Sequence, residues 1–479
     1  GGSETSGQIH YLDIGDDLTA KEKLSILRDA QSVGSLLKTK SFTMVNPSAD
    51  SDWINQRDRS FDKFIEIGNK KNGESEKVFR DHTNGVKTQR DVWCYNSSPS
   101  KLVENMKSFI QFYNSEVDRY AIEGDGKAID KFINTDPKLT NWTRSLKRDL
   151  SKGRKATFDD GCIQRCAYRP FFNTHLYFSK QLNEEIGQVP RVFPSDHADN
   201  RLICVSGIGS QRGISVFMAD MVPDLQFIQN GQFFPLYLYE GIKPDDGLFA
   251  AADSQQMRRA PRDAITDAGL AHFEAAYPGQ EITKKDLFHY IYGLLHSPDY
   301  RERFKNNLAK ALPRIPAVRS FADFAAFRDA GRALGELHVN FETVEPYMVL
   351  FKEGDHRLIP EAQEDPIKFY RVKKMKFGGK GKEKDRTTVI YNEQITMQNI
   401  PLEAYDYVVN GKPALEWVME RQVVKQHKAS GIVNDANDYA NETIGDPRYP
   451  LDLFRRVITV SLETMKIVHE LPRLELSEL

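Results

Sequence analysis

Three short segments of this 479-residue chain place basic, amide and hydroxyl side chains beside glycine or turn residues. Lys87-Thr88-Gln89-Arg90 follows an Asn84-Gly85 turn signal. Ser210-Gln211-Arg212 lies among Gly207, Gly209 and Gly213, and residues 378–384 (GGKGKEK) carry Lys380, Lys382 and Lys384. Arg, Lys and Gln are the side chains that read base edges in the major groove, while Lys, Arg and backbone amides fix register on phosphates. Glycine lets a backbone come close to a ligand. The first two segments therefore suit base reading, and the third, a cationic finger, suits phosphates. The second and third also have plainer readings, an ordinary polar turn and a solvated hairpin tip.

Catalytic spacings are missing. The chain has no G-x-x-x-x-G-K-[ST] phosphate loop, no H-E-x-x-H and no G-x-S-x-G elbow. Pro223-Asp224 begins a nuclease-like carboxylate pattern, but no acidic-x-Lys element follows, so MVPDLQF reads as a strand ending in a turn. Asn46-Pro47-Ser48 lacks the second proline and the aromatic residue of the amino-methyltransferase signature and reads as a turn. The glycines of SGIGSQRG do not have dinucleotide-binding spacing. Cys162 and Cys166 form a single C-x3-C, and zinc would need His175 or His197 as partners. Four scattered cysteines make no disulfide framework, and a reducing, cytoplasmic compartment is the expectation.

With 40% hydrophobic and 11% aromatic residues the chain can bury large cores, and no apolar run reaches the roughly 18–20 residues of a membrane span. A net charge of -2 excludes a protein that coats nucleic acid by bulk charge, but leaves room for one basic face.

The elements that must position these segments alternate between two periods. Ile9–Ile14 reads as a strand. Thr19 with Glu22 makes a capping box for a helix carrying Leu24, Ile26 and Leu27. Trp53, Phe61, Phe64 and Ile65 mark a partly buried connector. Val92–Tyr95 reads as a strand, and residues 100–113 as a helix burying Leu102, Met106, Phe109 and Ile110. Lys138, Arg144, Lys147, Arg148, Lys152, Arg154 and Lys155 form a basic run opposed inside it only by Asp149. Residues 161–240 are β-rich, and residues 243–263 read as an exposed loop. Residues 264–340 are helical, punctuated by Pro298 and Pro313. Residues 341–479 give a hairpin with a basic tip at 378–384 and then helices from Pro413 onward. The expectation is a mixed α/β (α+β) protein with a central β-sheet recognition domain, helical blocks and a C-terminal helical region.

Long, ordered stretches resemble one family. They are DWINQRDRSFDKFI, NGVKTQRDVWCYN, the YRPF box at Tyr168–Phe171, FPLYLYE, DLFHYIYGLLHSPDYRERF, ELHVNFETVEPY, YNEQITMQNIPLEAYDYVVNGKPALEWVMERQ and YPLDLFRRVITVSLETMKIV. Together they resemble the C-terminal specificity part of the type ISP restriction-modification enzymes. In that family one polypeptide carries an Mrr-like nuclease, a RecA-like helicase pair, a coupler, a γ-class adenine-N6 methyltransferase and a target recognition domain. The resemblance implies that residues 1–50 are the trailing edge of the methyltransferase or a connector, that 51–160 continue the connector and begin the recognition region, and that 161–479 are the target recognition domain. It implies double-stranded DNA as partner, together with upstream methyltransferase, helicase and nuclease domains of the same polypeptide, and no membrane. S-adenosylmethionine, ATP and magnesium would belong to the parent enzyme, with no cofactor in this chain. Two other readings stay open: an intramolecular scaffold that docks on motor and methyltransferase domains, and a stand-alone enzyme.

Overall fold

The computed structural model describes residues 7–15, 18–39, 42–70, 76–124, 126–195, 198–210, 212–239, 261–379 and 383–477. Gln211, Lys380, Lys382, His197 and most of the loop expected at 243–263 lie outside the described residues. The chain divides into two compact units, residues 1–60 and 61–479.

In the first unit, strand Ile9–Tyr11 pairs antiparallel with Thr43–Val45, so the strand is shorter than the Ile9–Ile14 expected. Thr19 caps helix Ala20–Ala30 through the expected box. Glu22 N–H donates to Thr19 Oγ1 at 3.3 Å, and Thr19 N–H donates to Glu22 Oε2 at 2.7 Å. None of that helix is buried within its unit, and Leu24 and Leu27 are 66% and 55% exposed. Asn46-Pro47-Ser48 opens a turn closed by Ser48 N–H to the Asp52 carbonyl at 2.9 Å.

In the second unit one continuous apolar core runs from Phe61 to Val460. The β-rich stretch expected as one central sheet divides between two four-stranded sheets. One sheet orders Val222–Pro223, Ile163–Arg169, Phe172–Tyr177 and Tyr95–Asn96. The other orders Thr83–Asn84, Gln232–Pro235, Leu202–Val205 and Val216–Ala219. Only the pairing of Val222–Pro223 with Ile163–Arg169 is parallel. Phe172–Tyr177, Leu202–Val205 and Val216–Ala219 are buried throughout, which explains why they read as apolar runs without clean alternation.

Val92–Tyr95 is not a strand: Asp91–Cys94 makes a helical turn, and the strand is Tyr95–Asn96. The Arg90 carbonyl accepts from the N–H groups of Trp93 and Cys94 at 2.9 and 3.1 Å, and both side chains are buried. Val92, Trp93 and Cys94 thus turn helical because tertiary burial outweighs a weak local preference. The following helix, Pro99–Glu123, runs ten residues beyond the expected end at 113 and buries Glu116 and Val117 as well as the four apolar residues anticipated. Ser98 caps it, accepting from Lys101 N–H at 3.0 Å.

Helices Lys284–Leu294 and Phe321–Val339 cross closely at two glycines. A Cβ on Gly331 would stand 1.9 Å from the His289 carbonyl oxygen, and one on Gly293 would stand 2.0 Å from that of Phe327. The C-terminal helix Tyr449–His469 locks onto this pair where the His338 Nε2 and Thr464 Oγ1 lie 2.9 Å apart. A third sheet orders Leu350–Phe351, Thr396–Gln398, Asp385–Ile390 and Lys376–Gly378, and its last two strands form the expected hairpin. The region after Pro413 is not continuously helical. Helix Ala414–Arg421 is followed by a hairpin of Val424–Gln426 and Val433–Asp435, with Lys425 opposite Asn434, before the final helix.

Candidate nucleic-acid interface

The YRPF box turns between strands Ile163–Arg169 and Phe172–Tyr177 after a register shift at Ala167–Arg169. Phe171 takes a positive φ of 57°, unusual for a bulky side chain. It is held there because its buried ring packs edge-on against Phe217 and Phe341, with centroids 5.0 and 5.5 Å away. With Phe171 anchored inward, Tyr168 and Arg169 are organised beside one another, the guanidinium 3.9 Å from the ring centroid. Arg169 Nη1 donates to Asp224 Oδ1 at 2.6 Å, and the Tyr95 hydroxyl donates to Asp224 Oδ2 at 2.9 Å. Burial pushes the Asp224 carboxyl up to about 6, against the opposing pull of Arg169. Pro223-Asp224 thus ends a strand in a turn, and its acid braces the box.

The Tyr168 hydroxyl donates to Asp91 Oδ2 at 3.1 Å, while the Thr88 hydroxyl donates to Asp91 Oδ1, so the 87–91 loop is tied to the box. This loop is less free than its sequence suggests. Lys87 Nζ pairs with Glu185 at 3.1 Å, and Thr88 is buried. Arg90 was expected on a loop within reach of a base; it is 1% exposed. Its guanidinium donates to the Leu182 carbonyl and to Thr143 Oγ1, and lies 5.7 Å from the Phe109 centroid. Gln89, at a φ of 54°, is exposed, and its carbonyl accepts from Asn141 at 2.8 Å.

The 207–213 turn stands where expected, between strands Leu202–Val205 and Val216–Ala219. Gly209 and Gly213 have φ values of 78° and 72°, conformations that favour glycine. Ser210 Oγ donates to Gln229 Oε1 at 3.0 Å. Arg212 is exposed and donates from Nη1 to the Asn410 carbonyl at 2.9 Å, crossing over Gly411. A Cβ on Gly411 would meet the Arg212 Cδ at 2.5 Å.

Arg212 begins a line of cations. Lys412 lies 4.3 Å from the Trp417 centroid and Arg421 lies 5.6 Å from the same ring, and both pair with Glu420. Burial, then the fields of Arg421 and Arg212, pull the Lys412 ammonium below its ordinary value; burial, then Arg169, does the same to Arg421. Arg212, Lys412, Arg421 and Arg169 thus stand near enough for each to feel the charge of the next.

Beyond Arg421 the 424–435 hairpin, in a region expected to be helical, carries Lys425, Gln426, His427 and Lys428, all exposed. Val423-Val424 and Ile432-Val433 flanking a Ser430-Gly431 turn were the available signal. Gly431 has a φ of 77°, and His427 Nδ1 lies 2.9 Å from Ser430 Oγ, fixing the tip. The base of the hairpin is pinned to the first sheet: Ser97 N–H donates to Asn434 Oδ1 at 2.9 Å, and Asn96 Nδ2 to the Val433 carbonyl at 3.3 Å. A cleft of about 560 Å³ separates the hairpin from Tyr95, Tyr168 and Phe172. A smaller one of about 380 Å³ is lined by Trp93, Thr140 and Lys147, and His427 borders both.

Three of the seven cations in the basic run at 138–155 are paired. Lys147 pairs with Asp130 at 2.6 Å, Lys155 with Asp118 at 2.7 Å and Arg154 with Asp149 at 3.2 Å. Lys384 is exposed beside the Phe377 ring, 5.7 Å from its centroid. Among the described residues no group of three or more His, Cys, Asp or Glu side chains is placed to hold a metal ion, and all four thiols are free.

Residues 77–453 match the family of the Type ISP C-terminal specificity domain, and this chain belongs to that family. No curated protein matches it. Among solved structures it is similar to a nuclease-deletion mutant of the Type ISP restriction-modification enzyme LlaGI in complex with a DNA substrate mimic. Identity there is 32%, the TM-score is 0.80, and the match covers 99% of this chain and 40% of that one. It is similar to the ATP-dependent Type ISP enzyme LlaBIII bound to DNA, at 33% identity and a TM-score of 0.82, over 98% of this chain and 28% of that one. A DrdV–DNA complex matches at 27% identity and a TM-score of 0.76, over 97% and 43% of the two chains. The chain therefore spans less than half the length of each.

Proposed function

We propose that this chain reads a short target sequence in duplex DNA on behalf of a larger restriction-modification enzyme. In this reading, adenine-N6 methylation and ATP-driven translocation and cleavage are carried out by methyltransferase, helicase and nuclease domains of the same polypeptide, in the cytoplasm, as part of phage defence. Those domains would use S-adenosylmethionine, ATP and magnesium, and this chain would use no cofactor. The observation that carries the proposal is the exposed Lys425, Gln426, His427 and Lys428 of one pinned hairpin, which line a cleft together with Arg421. Such an array supplies phosphate contacts from the lysines and bidentate donors from arginine and glutamine.

The test is fluorescence anisotropy with labelled duplexes at several salt concentrations. Binding should fall steeply with salt, with a slope of about -0.9 per phosphate neutralised. Salt-independent binding, or none, would refute it. Docking of residues 1–60 on an upstream domain is a second role, favoured by the exposure of Leu24, Leu27, Val33, Leu37 and Met44 within that unit. Among the described residues no helix is long and apolar enough to cross a membrane.

A further inference from the structure

Positive charge gathers in one window of this chain. Residues 371–386 hold eight Lys or Arg and two acids, although the whole chain has a net charge of -2. The structure turns the first half of that window into one extended rail. The Lys373 carbonyl accepts from Val424 N–H at 3.1 Å and Lys374 bridges antiparallel to Val423, so the rail begins against the 424–435 hairpin. It ends in the third sheet, where Lys376–Gly378 pairs with Asp385–Ile390. Two basic hairpins, 376–390 and 424–435, are therefore built on a single stretch of backbone.

Side chains alternate along an extended strand, which puts Lys374 and Lys376 on one face, two residues and roughly 7 Å apart. With Lys374 opposite Val423, Lys425 lies diagonally across on that same face, about 7–8 Å from Lys374. Lys373 falls on the other face. Lys374, Lys376 and Lys425 are all exposed, and among the described residues none of them is in an ion pair. Most acids around them are engaged. Asp435 pairs with Arg371, Glu416 with Arg386 at 3.3 Å, and Glu420 with Lys412 and Arg421, while Asp385 accepts from the Thr387 hydroxyl at 2.6 Å. Two exposed acids stand nearby, Glu383 in the loop after the rail and Glu393 next to Asn392, whose amide donates to the Arg371 carbonyl at 3.2 Å.

Three ammonium groups in a line, spaced by about 7 Å, suit a polyanion of regular repeat. One strand of duplex DNA offers a phosphate about every 3.4 Å along the helix axis, so the line meets every second phosphate. We propose that Lys376, Lys374 and Lys425 form a phosphate track that follows one DNA strand and holds the duplex in register without reading its sequence. The track rests on the proposed DNA reading and adds to it the surface by which the duplex is gripped.

The test is anisotropy of the full chain with labelled duplexes of several unrelated sequences across a range of salt. Wild type is compared with Lys374→Ala/Lys376→Ala, with Lys374→Arg/Lys376→Arg and with Lys352→Glu. Lys352 is exposed and follows strand Leu350–Phe351 on the opposite edge of the third sheet, and its single change alters the net charge as much as the alanine pair does. At about 0.9 per phosphate, the alanine pair should lose about 2 from the magnitude of the salt slope, alike for every sequence. The arginine pair and Lys352→Glu should keep the wild-type slope, and all variants should keep the wild-type melting temperature.

A wild-type slope in the alanine pair would overturn the track and leave duplex reading standing. An equal loss in Lys352→Glu would reduce the effect to bulk charge and overturn the track as well. If wild type binds no duplex but binds polyglutamate through Lys374 and Lys376, the line serves an acidic protein surface, and both the track and duplex reading fall. If nothing binds, both fall.

Discussion

Arg90→Ala separates a base reader from a buried brace. The guanidinium is 1% exposed and donates to the Leu182 carbonyl and to Thr143 Oγ1, the cap of helix Arg144–Ser151. Although burial pulls it below its ordinary value, an arginine stays charged at neutral pH. Two hydrogen bonds from a charged donor contribute about 1.5–3 kcal/mol each, and truncation also opens a cavity beside Phe109 and orphans two acceptors. A loss of about 4 kcal/mol follows, a shift of about 1 M or more in the urea midpoint for m near 3 kcal/mol/M. Tryptophan fluorescence is a suitable probe because Trp93 lies in the next turn. Gln89→Ala, its exposed neighbour, should shift the midpoint by no more than about 0.5 kcal/mol. The reasoning is refuted if Arg90→Ala unfolds at the wild-type midpoint, and doubly so if it also relaxes preference at one base position.

Arg212→Ala should cost about 1–3 kcal/mol of discrimination at a single base pair, measured by competition among point-substituted duplexes, with little change in stability. Lys425→Ala with Lys428→Ala should weaken all duplexes alike and reduce the magnitude of the salt slope by about 2, read from anisotropy titrations. Gly331→Ala drives a methyl to 1.9 Å from the His289 carbonyl oxygen and should destabilise by about 3 kcal/mol in thermal or urea unfolding. The folded Asp224 carboxyl keeps its proton up to about pH 6, whereas an unfolded one releases it near 3.8, so the native state holds more protons between these values. Stability should therefore fall as pH rises from about 4 to 6 in wild type relative to Asp224→Asn, as followed by midpoints across pH.

Local signals carried much of the fold. The Thr19–Glu22 box, the amphipathic start of Pro99–Glu123 and the hairpin around 378–384 were all legible because neighbouring residues determine them. Asp91–Cys94 was not, since its helical turn depends on distant burial of Trp93 and Cys94. Arg90 looked available because its partners, Leu182 and Thr143, lie 92 and 53 residues away. Lys147 and Lys155 looked like free charge for the same reason, with Asp130 and Asp118 outside their run. The 424–435 hairpin was masked by strong helical periodicity on both sides, at Ala414–Arg421 and Tyr449–His469. Ser210 and Arg212 sit in the turn that the glycines of 207–213 foretold, but the contact of Arg212 with Asn410 and Gly411 exists only in three dimensions.

The most direct measurement is selection from a random duplex library by the purified chain at about 50 mM and 150 mM salt, followed by sequencing. Enrichment of one asymmetric motif at both concentrations, weakened at a single position by Arg212→Ala, is the predicted result. Binding without enrichment, or no binding at either salt, would contradict the claim that this chain itself reads the target.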